Sequence, residues 1–534
     1  MGTKDLSAGG RRSLILLMAL LIVSAGIRLP GLFFRAIWED ESVVLLEMAG
    51  HTVPAWPAEP APACLAKGQF EGRSSLTQVT KDLGSYDSHP PLFFWSVFLW
   101  QRCWGPSLDA TRALSLVYST ATIVSLYVFL YVAKFESPFI PTWIYAFSSG
   151  SVHFGQEARP YALVILLTTL AAVCAYLATE STTPNRWRFG AYSVATGVLC
   201  GAAFATHYFA LFPVCLILAW FLANGRPGLR PIAVVTLIVA CSVASLGLFT
   251  LLHQLKADSL GSKGQTSGYQ GHWKELVAVG EMNVNLLWAP AVSLFRETRA
   301  RLARGLIYGG WVLLLGSSVL LLLRHSLEGR RKFWLLVLGL AVAPSVGLML
   351  IDFLWNAHMH INRYLACAGP AVAVIASYGL VKLFSCRPKL GWCLAAGVLL
   401  IQFSGINWGE EIDAYMGSRM RSLAKMIQAS PASSRLVVMG GDERSWQPAA
   451  PLIYELEPNV TIVTLRSQRD LRRFDRAIEK YEYVWVVCAE DCSVESPERA
   501  FLNRLLRSGL YQQISYYAEH RAALLRKSAL TPTK

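Results

Sequence analysis

Charge is scarce in this chain. Asp, Glu, Lys and Arg make up 16% of its 534 residues, against about 25% in ordinary soluble domains, which excludes one uniform water-soluble enzyme. The shortage is also uneven. Residues 1–407 hold 31 Lys and Arg and 19 Asp and Glu, whereas the shorter stretch 408–534 holds 18 and 16. No P-loop and no dinucleotide-binding glycine motif occurs, so nucleotide sites of those kinds are excluded. No small-residue cleavage site follows the first apolar run, which argues for an uncleaved anchor. Internal repeats and low-complexity tracts are absent as well. The eleven cysteines are dispersed. Cys174, Cys200, Cys215 and Cys241 fall in apolar runs, where Cys acts as a small apolar residue. Only Cys488 and Cys492 are close enough together in the tail to suggest a local disulfide.

What is present is apolar: 54% of residues are hydrophobic and mean hydropathy is +0.39. Runs of spanning length occupy 13–29, 112–133, 137–153, 160–178, 189–206, 208–223, 231–252, 305–323, 333–351, 364–383 and 390–407. Residues 90–104 are aromatic and apolar but short. If they cross, every basic cluster between the later runs moves to the outer side. If they lie at the interface, Lys134, Arg186, Arg188, Arg226, Arg230, Arg324, Arg330 to Lys332, Arg387 and Lys389 all face the cytoplasm, as the positive-inside pattern requires. The expectation is therefore about eleven membrane helices, an N-terminus in the cytoplasm, and a first external loop over 30–111 carrying an interfacial helix at 90–104. Twelve of the +14 net charges lie in this membrane part, so the basic balance reflects topology and nucleic-acid binding is a poor reading.

The stretch 408–534 alternates strand-like runs (435–439, 460–465, 483–488) with a helix-like run (496–508) and a closing pair near 514–526. It reads as a small α/β domain on the external, periplasmic or extracellular, side of the membrane.

Five polar features interrupt the apolar pattern on the external side. Glu39-Asp40-Glu41 follows the first span. Such a cluster reads either as a solvated helix start, since acids favour the first turn, or as a general base or a cation-binding pair facing a cavity. His89 precedes Pro90-Pro91, which fix an extended lead into the interfacial helix; the His either caps that turn or donates to a phosphate. Gln156-Glu157-Ala158-Arg159-Pro160-Tyr161 forms a tight loop in which an ion pair or a ligand offsets the charges. His207-Tyr208 sits in a turn where an aromatic belt is an equal reading. Arg363-Tyr364, preceded by His358 and His360 and near Asp352, offers a bidentate phosphate clamp. The two histidines lack a third ligand at metal spacing.

In this order and on one membrane face, Asp40-Glu41, His89-Pro90-Pro91-Leu92, Arg112, Gln156 to Tyr161, His207-Tyr208 and Arg363-Tyr364 resemble the GT-C superfamily of membrane glycosyltransferases. The resemblance points to the bacterial type of glycosyltransferase family 39, which is similar to protein O-mannosyltransferases and to the lipid A aminoarabinose transferase. It covers residues 35–210 well and 358–372 moderately. It implies sugar transfer from a polyprenyl-phosphate donor, with inversion, at the external face of a bacterial inner membrane. The acceptor is left open among protein, glycolipid and polysaccharide. By the same resemblance Asp40 is the base with Glu41 beside it, and Glu157 contacts the acceptor or orients the base. His89, Arg159, Tyr161, His207, Arg363 and Tyr364 are the donor-phosphate set. Some relatives use a divalent cation at the carboxylates and others do not, which leaves a cation at Asp40 and Glu41 open. A transporter, or a relative that binds polyprenyl lipid without chemistry, would share the spans. A transporter is disfavoured because the polar residues gather at one face and not at mid-depth.

Overall fold

The computed structural model describes residues 8–180, 186–224, 230–256, 272–288, 298–325, 327–355, 362–406, 417–430, 435–440, 446–465, 478–488, 497–517 and 521–528. The protein is a polytopic α-helical membrane protein carrying a small α/β domain. Its chain packs as two compact units. Unit 1 takes Met1–Phe33, Thr80–Val97 and Thr111–Trp408, and unit 2 takes Phe34–Val79, Phe98–Ala110 and Gly409–Lys534. The second unit thus includes first-loop residues besides the tail, because the loop supplies a strand to the tail's sheet.

Unit 1 is built of helices. Among the described residues six are long and apolar enough to cross a membrane: Ser13–Phe34, Leu108–Val132, Tyr161–Glu180, Val234–Gln254, Arg330–Leu354 and Arg363–Cys386. Tyr208–Asn224, Gly309–Leu322 and Pro388–Phe403 are shorter apolar helices. A 19-residue helix, Arg186–Phe204, adds to these. The expected single run 137–153 is instead two helices, Phe139–Ala146 and Ser149–Phe154. Ser148 causes the break: it sits in extended backbone and its hydroxyl accepts from the Ser151 amide, capping the second helix. The segment 90–104 forms the 13-residue helix Leu92–Trp104, which is shorter than a span.

Close helix packing follows from small residues. Gly197 and Gly201, a small-xxx-small pair, face the helix Arg230–Lys256, where a Cβ on either would lie within 2.6 Å of the carbonyl oxygen of Thr236 or Ala240. Ala171, Ala172, Ala175 and Ala178 give Tyr161–Glu180 a similarly thin face in the core.

One charge lies wholly buried in the first span. Arg28 donates from Nη1 to the carbonyl and hydroxyl oxygens of Ser24, from Nη2 to Ala146 O (2.9 Å) and Ser151 Oγ (2.7 Å), and from Nε to Ser119 Oγ (3.2 Å). Each guanidinium nitrogen is used, so the span, the helix Leu108–Val132 and the stretch 146–151 are joined at one point.

Unit 2 is a six-stranded sheet of order β1-β3-β2-β4-β6-β5. Its strands are β1 (Ala61–Pro62), β2 (Arg435–Gly440), β3 (Thr461–Leu465), β4 (Tyr483–Val487), β5 (Tyr511–Tyr517) and β6 (Ala522–Lys527). β2, β3 and β4 are parallel, and β1, β5 and β6 are added antiparallel. The strands RLVVMG, TIVTL and YVWVV are buried almost from end to end because both faces are covered. Helix Pro497–Arg507 packs Phe501 and Leu505 into the same core as Val438, Val463 and Val486. Cys488, at the end of β4, is disulfide-bonded, while Cys492 lies outside the described residues.

Replacing Arg28 by Met leaves several buried oxygens without donors. At about 1 kcal/mol per lost hydrogen bond, the variant is expected to lose about 3–5 kcal/mol. Thermal unfolding in detergent, compared with that of the native chain, checks this.

Candidate active site

Three loop segments of unit 1 bring the polar residues together. In the first, Pro91 starts the helix Leu92–Trp104, where the missing N–H of proline costs nothing. The Leu92 amide donates to Ala205 O at 3.0 Å. Gln254 holds the same segment from the end of another helix. Its Nε2 donates to Leu83 O (2.9 Å) and His89 O (3.0 Å), and its Oε1 accepts from Tyr208 OH at 2.8 Å.

The second segment, 155–161, turns tightly between helices, with the Arg159 amide donating to Glu157 O at 2.8 Å. Gln156 reaches back to Arg28 O at 3.1 Å. A Cβ at position 31 would lie 2.2 Å from the end of the Gln156 side chain, which would have to swing away from Arg28 O. Glu157, Arg159 and Tyr161 are all buried. Pro160 precedes the helix Tyr161–Glu180, and its carbonyl accepts from Val164.

The third comprises His207 at the head of one short helical turn and Arg363-Tyr364 in another. The His207 ring lies 5.7 Å from that of His89, 5.4 Å from Tyr161 and 5.8 Å from Tyr364, and Tyr364 stacks on Phe209 at 4.2 Å.

Donor and acceptor accounting fixes the protons. Arg159 Nη2 lies 3.0 Å from His89 Nε2, and a guanidinium only donates. His89 Nε2 is therefore the acceptor, and the ring proton sits on Nδ1, 2.9 Å from Asp87 Oδ1. Asp87, His89 and Arg159 form a chain that aims the guanidinium. His207 carries the opposite tautomer: its Nδ1 accepts from the Phe209 amide at 3.3 Å, leaving the proton on Nε2. Burial holds the His207 pKa well below its ordinary value, and the neighbouring His89 ring and the charges of Arg159 and Arg363 lower it further. The imidazole stays neutral among cations. His153 adds a contact to the acid, its Nε2 lying 3.5 Å from Glu157 Oε1.

The structure thus gathers His89, Glu157, Arg159, Tyr161, His207, Arg363 and Tyr364 in unit 1. Two guanidinium groups and a neutral imidazole N–H form a setting suited to an anion such as phosphate. Asp40 and Glu41 belong to unit 2, in the first turn of the helix Glu39–Ala49, with Asp40 half-buried and Glu41 fully buried. His358 and His360 lie outside the described residues. Among the described residues no three His, Cys, Asp or Glu side chains converge to hold a metal ion. Asp40 and Glu41 supply two carboxylates, short of a three-ligand set. Sequence reasoning passed over His153, which was legible as an i, i+4 partner of Glu157. It also passed over Gln254, whose only signal is an amide ending an apolar helix, and Asp87 as a member of the site.

No family model matches the chain, and no curated protein matches it. Among solved structures it is similar to ArnT from Cupriavidus metallidurans in the apo state, with 12% identity, a TM-score of 0.43, and coverage of 98% of this chain and 99% of that one. The same protein bound to undecaprenyl phosphate is similar at 13% identity and a TM-score of 0.42, covering 97% and 98%. The archaeal oligosaccharyltransferase AglB from Archaeoglobus fulgidus, in complex with an inhibitory peptide and a dolichol-phosphate, is similar at 12% identity and a TM-score of 0.48, covering 97% and 75%.

His207 has a testable signature. Its folded pKa lies below the unfolded value, so under about pH 6.5 the unfolded chain takes up a proton that the folded chain refuses. Stability is expected to fall as pH drops below that value, and His207→Phe should flatten the slope. Thermal midpoints of both proteins from pH 7.5 to 5 decide it.

Proposed function

We propose that the protein is an integral membrane glycosyltransferase that moves a sugar from a polyprenyl-phosphate donor to an acceptor at the external face of a bacterial inner membrane, with inversion. The observation that carries this reading is the Asp87–His89–Arg159 chain beside the His207 N–H and Arg363. Its chemistry suits a departing phosphate. The ordered resemblance of the motifs to the GT-C superfamily supplies the rest.

In this reading a carboxylate of the helix Glu39–Ala49 takes the proton of the acceptor hydroxyl or amine. The acceptor atom attacks the anomeric carbon as the bond from that carbon to the phosphate oxygen breaks. The electron pair leaves with polyprenyl phosphate, whose charge is met by Arg159 and Arg363, with the His207 N–H as a further donor. Asp40 is the acceptor-facing base, because it is half-buried whereas Glu41 is fully buried. Glu157 orients the acceptor or the base, and Tyr161 and Tyr364 wall the donor. His89 acts on the phosphate through Arg159, since its own Nε2 is an acceptor. The lipid tail would lie between apolar helices, in contact with membrane lipids. The acceptor belongs to the protein, glycolipid or polysaccharide class. The basic clusters support a cytoplasmic N-terminus, and the disulfide at Cys488 supports a tail in an oxidising compartment.

Transfer of labelled sugar from a membrane polyprenyl-phosphate pool tests this. Asp40→Asn should lower transfer by about 10²–10⁴-fold, the range of a lost general base, while Glu41→Gln lowers it less. Full transfer by both variants sinks the assignment of the base. Arg159→Lys keeps the charge but loses the planar fork. It should weaken binding of the lipid donor by about tenfold, read as KM for the donor.

A further inference from the structure

The helix Glu39–Ala49 has no side-chain cap at its start. The chain leading into it, residues 34–37, is gripped by two residues of the tail, all within unit 2. Arg421 lies in the helix Gly417–Ala429 and Glu455 ends the helix Trp446–Glu455. Arg421 donates from Nε to Glu455 Oε2 (2.9 Å) and from Nη2 to Glu455 Oε1 (2.8 Å). The same guanidinium donates from Nη1 to Phe34 O and from Nη2 to Arg35 O at 3.2 Å. Glu455 Oε1 in turn accepts from the Ile37 amide at 3.4 Å. One fork-to-fork pair therefore binds three peptide groups within four residues. The Trp38 carbonyl then accepts from the Ser42 amide and opens the helix that carries Glu39, Asp40 and Glu41.

We propose that Arg421 and Glu455 are a positioning pair: they fix residues 34–37 and so set where the carboxylates of the following turn stand. This rests on the reading of Asp40 as the general base. The tail is thus the mount on which the base is held. Three features point to direction and not to bulk stability. The pair is part-exposed, with side-chain exposures of 29% and 13%, and an ion pair of that kind contributes little to stability. Its bonds are spent on backbone groups of the lead-in segment, which elsewhere has Ile37 buried as an anchor. The residue type matters too, since a guanidinium can meet a carboxylate and two carbonyl oxygens at once, whereas an ammonium cannot do so in a fixed plane.

The test uses the full chain in lipid nanodiscs. Hydrogen exchange is read for the amides of residues 35–42 and, as an internal control, for β2 and β4, in the native protein, Arg421→Ala and Arg421→Lys. Arg421→Ala should speed exchange over 35–42 by about tenfold or more while β2 and β4 keep native protection. In the transfer assay it should lower kcat by about tenfold or more with KM for the polyprenyl donor unchanged, and Arg421→Lys should recover part of both effects. Unchanged exchange over 35–42 overturns the grip. Faster exchange in β2 and β4 as well assigns the pair to fold stability and overturns the positioning role, as does a loosened 35–42 with full kcat. If the native protein transfers no sugar, the proposed function fails by itself, and the exchange data still decide the grip because they need no substrate.

Discussion

A guanidinium inside an apolar span must be satisfied by the protein, because hydrocarbon offers nothing in return. Arg28 meets that demand with oxygen atoms from Ser24, Ser119, Ala146 and Ser151. Two of these oxygens belong to Ala146 and Ser151, so the demand ties the broken helix Phe139–Ala146 and Ser149–Phe154 to the first span. The tight loop at 155–161 hangs from that fixed point. Gly155 has no room for a Cβ, which would meet Ser119 and Arg28 within 2.9 Å. The placement of Glu157 and Arg159 is thus a downstream result of one buried charge.

The neutral histidines follow the same logic at the membrane surface. Between two arginines, a third positive charge is disfavoured, and burial disfavours it again. His89 and His207 answer by holding opposite tautomers, one accepting from a guanidinium and the other keeping an N–H. His207, held neutral with its proton on Nε2, can donate to an anion but is poorly suited to take up a second proton.

The sequence showed the architecture well wherever a pattern is local. Apolar runs marked the membrane helices, and β-branched runs marked β2, β3 and β4 almost to the residue. The run 137–153 failed because hydropathy does not register Ser148 as a cap. The polar features of the site were visible as exceptions to the apolar pattern, yet their connections were not. Nothing in the spacing of His89 and Arg159, 70 residues apart, reports a hydrogen bond. Arg28 falls near the end of the apolar run 13–29, and in sequence an arginine near an interface and one at a helix junction are written alike. The pairing of Ala61 with Ile462 is equally silent in sequence.

That short pairing has a consequence in time. β1 closes the open edge of β3, and the Pro57 carbonyl takes the amide and hydroxyl of Thr464. Pro62 and its partner Thr461 stand 399 positions apart (461 − 62). At a synthesis rate of about 5–20 residues per second, the first loop is made roughly 20–80 s before its sheet exists. Through that interval the loop has no partner for its strand while the membrane helices are laid down one after another. Any product released early is left with an unfinished loop however many of its spans are in place.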